Sequence, residues 1–200
     1  MITNCAALIL AGGKSERMVF PKPFLPVNGK TFLNKIVTEY SDAGIKNIFI
    51  VLNDEYCIGA WESCINRVKQ FAIVIENPEP EKGRFHSIKL GAEKIKYAEF
   101  CFVQNVDNPS VNKNIIAEIF EQRNSSGYTV PVYNGMRGHP VLISKKIIRH
   151  INLLPDEDFN LREILNNFPA KEVEINDERI LLNINTTEDY KKFIHQKTTA

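Results

Sequence analysis

Several things are scarce in this chain, and each scarcity rules something out. Charge of one sign is missing: 25 lysines and arginines stand against 24 aspartates and glutamates, a net charge of +1 over 200 residues. A general nucleic-acid binder carries a strong basic excess, so no nucleic-acid partner is expected. Cysteine is sparse and forms no CxxC pair; Cys5, Cys57, Cys64 and Cys101 read as small core residues or plain thiols, the first and last in strands and the middle two in a helix. That removes both a zinc site and a disulfide framework. No apolar run approaches the ~18 residues a bilayer requires, and the N-terminus enters an apolar stretch without a charged leader. The expected location is therefore the cytoplasm, with no membrane partner. Internal repeats, low-complexity tracts and linkers are also missing, and a chain of 200 residues suits one domain over 1–200.

What remains, 44% hydrophobic and 24% charged residues, is ordinary globular composition with enough chain to bury a core. Short β-rich runs alternate with amphipathic stretches, which predicts an α/β fold of Rossmann-like type: three layers, α/β/α, around a mixed, mostly parallel sheet. Strands are expected at 5–11, 47–52, 71–75 and 100–104, with helices between them. Thr31 is placed to cap a helix whose apolar residues Leu33, Ile36, Val37 and Tyr40 recur at i, i+3, i+4 and i+7, and Gly44 to end it. Further helices are expected over 55–68 and 85–95, and one carrying Ile115, Ile116, Ile119 and Phe120. The last third is less regular. It should hold strands at 128–132, 140–143, 172–175 and 180–184, two short helices and a closing helix with Tyr190, Phe193 and Ile194. The antiparallel pieces of the sheet are expected there.

The most informative stretch is 8–25, LILAGGKSERMVFPKPFL. An apolar strand runs into Gly12 and Gly13, and a cationic loop with Lys14, Arg17 and Lys22 follows. Backbone that must pass close to a ligand needs glycine, and amides in such a turn beside fixed positive charge suit a polyphosphate. A Walker A loop is excluded, because the glycine it needs five residues before Gly13 is Leu8. The dinucleotide fingerprint is excluded too, since Glu16 and Arg17 stand where its third glycine belongs. The loops at Gly12–Gly13, Gly83, Asp107 and Asn185 all follow predicted strands. Ligands of open α/β sheets bind at the carboxyl ends of strands, so these loops should meet on one edge.

The stretch resembles the opening of the MobA-like nucleotidyltransferases, roughly L-A-(A/G)-G-x-S-x-R-M-G-x-x-K, matched here by Leu10, Ala11, Gly12, Gly13, Ser15, Arg17, Met18 and Lys22, with Val19 in place of a glycine. This group includes molybdopterin guanylyl- and cytidylyltransferases and, more distantly, methylerythritol phosphate cytidylyltransferase and sugar-1-phosphate nucleotidyltransferases. The resemblance implies the nucleotide-diphospho-sugar transferase type of fold. It also implies transfer of a nucleoside monophosphate from CTP or GTP to a phosphorylated small molecule, with molybdopterin the first candidate, and release of pyrophosphate. Such a reaction joins two anions, so the protein must screen charge, and Mg2+ held by one or two carboxylates is the natural helper.

The resemblance then assigns roles by position. Leu10, Ala11, Gly12, Gly13, Lys14 and Ser15 form the nucleotide loop. Lys22 is the catalytic charge on the phosphates, stiffened between Pro21 and Pro23, and Arg17 supports the β and γ groups. Asp107, in VQNVDNP, is the metal-binding and catalytic carboxylate, although Asp before Asn-Pro is also a common turn. In NPEPEKGRFHSIKLG (77–91), Gly83 and Ser87 contact the base and Arg84 a phosphate; Ser87 equally suits the first turn of a helix. Gly138-His139-Pro140-Val141-Leu142 resembles a G-H-P-V element near the acceptor, so His139 is an acceptor candidate, though a lone histidine is more often structural. Arg162, in DFNLREIL (158–165), either meets an acceptor phosphate or lies on a solvated helix face.

Two departures stand out. Asn185 sits where relatives place a second metal-binding aspartate; an amide oxygen still ligates magnesium but lacks the charge. The loss keeps open a non-catalytic nucleotide-binding protein as a rival, beside a sugar- or polyol-phosphate nucleotidyltransferase. The base signals are also split: Ala11-Gly12-Gly13 is of the guanylyl type, whereas the Gly83 to Ser87 loop is of the cytidylyl type. The latter covers more positions and tips the expectation to CTP.

Overall fold

A computed structural model describes residues 2–157 and 159–198. Strand β1 (Cys5–Ala11) is buried at every position, the mark of a central strand covered on both faces. It pairs in parallel with β4 (Asn47–Asn53) on one side and β6 (Phe100–Asn105) on the other. Beyond β4 lies β5 (Ile73–Asn77), also parallel, at the sheet edge. On the other flank β9 (Val141–Ser144) runs antiparallel to both β6 and β7 (Tyr128–Tyr133), and β10 (Ala170–Glu174) closes the edge parallel to β7. The order is β10-β7-β9-β6-β1-β4-β5, with β8 (Met136–Arg137) folded back on β7 through a turn at Asn134 and Gly135, whose φ values are +49° and +75°. A separate two-stranded hairpin, β2 (Pro26–Val27) and β3 (Lys30–Thr31), precedes the first helix.

Period-two alternation along β1 separates the two helical layers. Ala7, Ile9 and Ala11 pack with α1 (Phe32–Asp42), α2 (Glu62–Val68), α4 (Lys113–Glu121) and Phe193 of α7 (Thr187–Thr198). Ala6, Leu8 and Leu10 face the other way, onto α3 (Gly83–Lys94), α5 (Lys145–Leu153) and α6 (Leu161–Leu165). The three-layer fold with a mixed, mostly parallel sheet is the one the sequence pattern predicts. Thr31 caps α1 as expected, its Oγ1 accepting the Asn34 amide at 3.2 Å, and Gly44 follows the helix end at φ +89°.

Several boundaries differ for local reasons. The helix expected over 55–68 is two 3-10 turns, Asp54–Tyr56 and Gly59–Trp61, before α2; Gly59 at φ +71° breaks the run and leaves Cys57 outside any helix, while Cys64 lies in α2 as expected. The strand expected at 71–75 starts two residues later, because the amides of Phe71 and Ala72 still bond back to Val68. The strand expected at 180–184 is not a strand. Asp177 caps a 3-10 turn, Glu178–Leu181, and the Ile180 carbonyl accepts from His139 N and Asn108 Nδ2 rather than from a ladder partner. Of the short helix expected over 158–165, Asp158 lies outside the described residues, and α6 is what the rest forms.

Candidate functional site

The glycine loop, the Gly83 segment, Asp107 and Asn185 do meet, around a cavity of about 570 Å³ at the carboxyl ends of β1, β5 and β6. Leu10, Ala11, Gly12, Gly13, Lys14, Ser15 and Arg17 line one wall. Gly83, Arg84 and Ser87 line another, and Lys22, Asp107 and Asn185 complete it. Asn185 arrives from a 3-10 turn rather than from a strand.

The loop is built from its own residues. Ser15, at φ +55°, has its carbonyl bonded by Met18 N at 2.8 Å, and its Oγ accepts the Lys22 amide at 3.1 Å. The backbone of Lys22 is thus fixed from within the loop, and Pro21 and Pro23 flank it in a 3-10 turn. Behind the loop, Phe24 stacks on Trp61 at 4.4 Å and Phe20 meets the same ring edge-on at 5.0 Å. Tyr56 Oη donates to the Lys14 carbonyl at 2.9 Å. Gly12 is required by proximity: a Cβ there would stand 2.7 Å from Ser87 Oγ. At Gly13 a Cβ would meet nothing within 4 Å, which leaves its backbone open to the cavity.

Lys22 Nζ donates to Asn185 Oδ1 at 2.7 Å and lies 3.9 Å from Asp107 Oδ2. Burial lowers the Lys22 pKa, Asp107 opposes that, and Arg17 and Arg84 push it down further. Cations that repel one another across a half-buried cavity call for an anion among them. Asp107 lines the same cavity, and its Oδ1 is buried without a hydrogen-bond partner. A buried carboxylate oxygen left unpaired suits a cation. No cluster of three or more His, Cys, Asp or Glu able to hold a metal occurs among the described residues. The Asn185 amide oxygen expected beside Asp107 as a metal donor already accepts from Lys22 through one of its two lone pairs.

His139 and Arg162 do not line this cavity. They line a second one, of about 1000 Å³, floored by apolar side chains including Phe85, Ile88, Val130 and Phe159 and rimmed by Arg84, Arg137 and Arg162. Arg84 and Asn105 line both cavities. His139 Nε2 stands 3.5 Å from Asn105 Nδ2, and its pKa is lowered by burial first and by Arg84 second. Neither the second cavity nor the shared role of Asn105 was read from sequence. Asp189 was missed as well: its Oδ2 accepts the amides of Asn185 and Thr186 at 3.0 and 2.9 Å, while Thr186 Oγ1 accepts the Asp189 amide at 3.1 Å. This reciprocal cap at the start of α7 orients Asn185, and its T-x-x-D spacing was visible in the chain.

Residues 7–173 match the model of the MobA-like NTP transferase domain. The chain belongs to that family. It is a nucleotidyltransferase of this type. The chain is 30% identical over 188 residues, 92% of each chain, to the molybdenum cofactor cytidylyltransferase of Escherichia coli. It is 26% identical over 204 residues, 94% of this chain and 95% of the other, to a probable molybdenum cofactor guanylyltransferase of Bacillus mycoides. Among solved structures, a nucleotidyl transferase from Methanothermobacter thermautotroptrophicus superimposes with a TM-score of 0.80 at 20% identity, covering 98% of this chain and 99% of that one. The likeness confirms the fold of this MobA-like protein.

Proposed function

We propose that this MobA-like protein transfers a cytidylyl group from CTP, with GTP as the alternative donor, to a phosphorylated acceptor of molybdopterin type, releasing pyrophosphate with Mg2+. The observation that carries the reading is the pair of cavities sharing Arg84 and Asn105, the first cationic and floored by the glycine loop, the second apolar with an arginine rim. The triphosphate lies in the first, along the open backbone of Gly13 with Lys14, Ser15 and Arg17. An acceptor phosphate oxygen, presented from the second cavity by Arg84 and Arg162, attacks the α-phosphorus, and the bond from that phosphorus to the bridging oxygen of the β-phosphate breaks. Lys22 stabilises the charge that builds on the equatorial oxygens, and the bond from Lys22 to Asn185 holds its ammonium there. Asp107 would hold the Mg2+, which when bound neutralises phosphate charge. An apolar floor under an arginine rim fits a phosphomonoester with a flat, poorly hydrated body better than a polyol phosphate. His139, neutral at pH 7 through its lowered pKa, would hydrogen-bond the acceptor without adding charge.

Pyrophosphate release from CTP and GTP, measured with and without a panel of phosphorylated acceptors, is the test. Release only with CTP and a pterin-bearing phosphomonoester is the expected result; tight nucleotide binding with no release for any acceptor sinks the enzyme in favour of a nucleotide-binding protein. Asn185 is what favours that second reading, since it leaves Asp107 without a second carboxylate beside it at Lys22.

A further inference from the structure

Asn77, the last residue of β5, is wholly buried beside the nucleotide cavity yet lines no part of it. Both ends of its amide are engaged. Oδ1 accepts the backbone N–H of Glu79 at 3.0 Å, which determines which end is the oxygen. The other end must therefore donate, and Nδ2 gives a hydrogen bond to Ser87 Oγ at 3.1 Å. A hydroxyl has a single proton and two lone pairs. With one lone pair taken by Asn77, Ser87 keeps its proton to give away. Ser87 is itself buried and lines the cavity, and Gly12 packs so closely on the pair that a Cβ there would lie 2.7 Å from Ser87 Oγ and 3.1 Å from Asn77 Nδ2.

We propose that Asn77 is a positioning residue that sets base choice: by taking one lone pair of Ser87 Oγ it leaves the hydroxyl proton for the ligand, which favours a base that presents an acceptor at that point. Cytosine offers two neighbouring acceptors, O2 and N3. Uracil keeps O2 but carries a proton on N3, and the corresponding edge of guanine presents donors at N1 and N2, so the discrimination falls chiefly on guanine. The inference rests on the nucleotide-binding reading above and extends it to the base. A base that presents an N–H there sets two donors against each other, or sends the Ser87 proton where it has no partner, which is a costly mismatch.

Titration calorimetry of the full chain with CTP and, separately, with inorganic tripolyphosphate distinguishes this role from a structural one. Asn77→Asp keeps the acceptor for Glu79 N but replaces the donor, so the Ser87 hydroxyl turns back towards residue 77. Asn77→Ser shortens the side chain by one bond, so its hydroxyl no longer reaches Ser87 Oγ, and it introduces no buried charge; it carries the comparison if the aspartate variant does not fold. The expected result is a CTP affinity about tenfold weaker for each folded variant and for Ser87→Ala, with tripolyphosphate affinity within about twofold of wild type. Ser87→Ala combined with Asn77→Ser should weaken CTP no further than either alone. A CTP affinity unchanged in Asn77→Ser, an equal loss of tripolyphosphate binding, multiplicative effects in the double variant, or tighter binding of GTP than CTP by wild type overturns the assignment. Wild type binding CTP and tripolyphosphate with Asn77 immaterial removes the role of Asn77 alone; wild type binding neither removes the nucleotide reading as well.

Discussion

Lys22 concentrates the chemistry of the proposed site in one side chain. Its backbone is tied to Ser15, its ammonium to Asn185, and Asp107 stands 3.9 Å away. Lys22→Ala should lower kcat about 10²- to 10³-fold, the usual cost of one charge-stabilising donor. Its melting temperature should stay close to that of wild type, and steady-state rates beside a thermal melt check both. The role assigned to this residue came from the motif. The partner of its ammonium did not, because Asn185 is 163 positions away and only the fold brings the two together. The same holds for the orphaned oxygen of Asp107: sequence marks a strand-end acid, but burial without a partner is a property of packing.

At the scale of elements, the strands and amphipathic helices were legible because burial on one face or two leaves a period in the sequence. The pieces that were misread lack a period. The chain over 178–185 makes its hydrogen bonds to scattered partners, His139, Asn108 and Asp107, so no alternation of residues reports its conformation. Its orientation depends on the cap at the start of α7. Asp189→Ala frees the amides of Asn185 and Thr186. That variant should lower kcat while a far-UV spectrum stays helical, through loss of the contact that holds Lys22. Elsewhere the tolerance is steric. At Gly91 of α3 a Cβ would fall 2.3 Å from Leu8 Cδ1 of β1. Gly91→Ala should therefore cost about 1–3 kcal/mol in chemical denaturation, as overpacking of a helix against a sheet does.

For the whole molecule, the prediction that four distant loops share one edge held: strand direction places three of them, and Asn185 reaches the same edge from a 3-10 turn. The larger cavity was invisible beforehand, because its floor comes from the central sheet, α3 and α6 together. Acidification should act through His139. Its pKa in the folded chain lies below the ordinary 6.5, so the unfolded chain binds the proton more readily. Stability contributed by the neutral ring is complete above 6.5 and is lost as pH falls from there through the lower folded value. His139→Asn should flatten that part of a stability profile, read by denaturant melts between pH 7.5 and 5.

Arg84 and Asn105 form a common wall with a chamber on either side, so donor and acceptor have room to be held at the same moment. A single direct displacement then needs no group parked on the protein between half-reactions. Initial rates measured against both substrates should give double-reciprocal lines that intersect, and a phosphorus centre made chiral with oxygen isotopes should emerge with its handedness inverted.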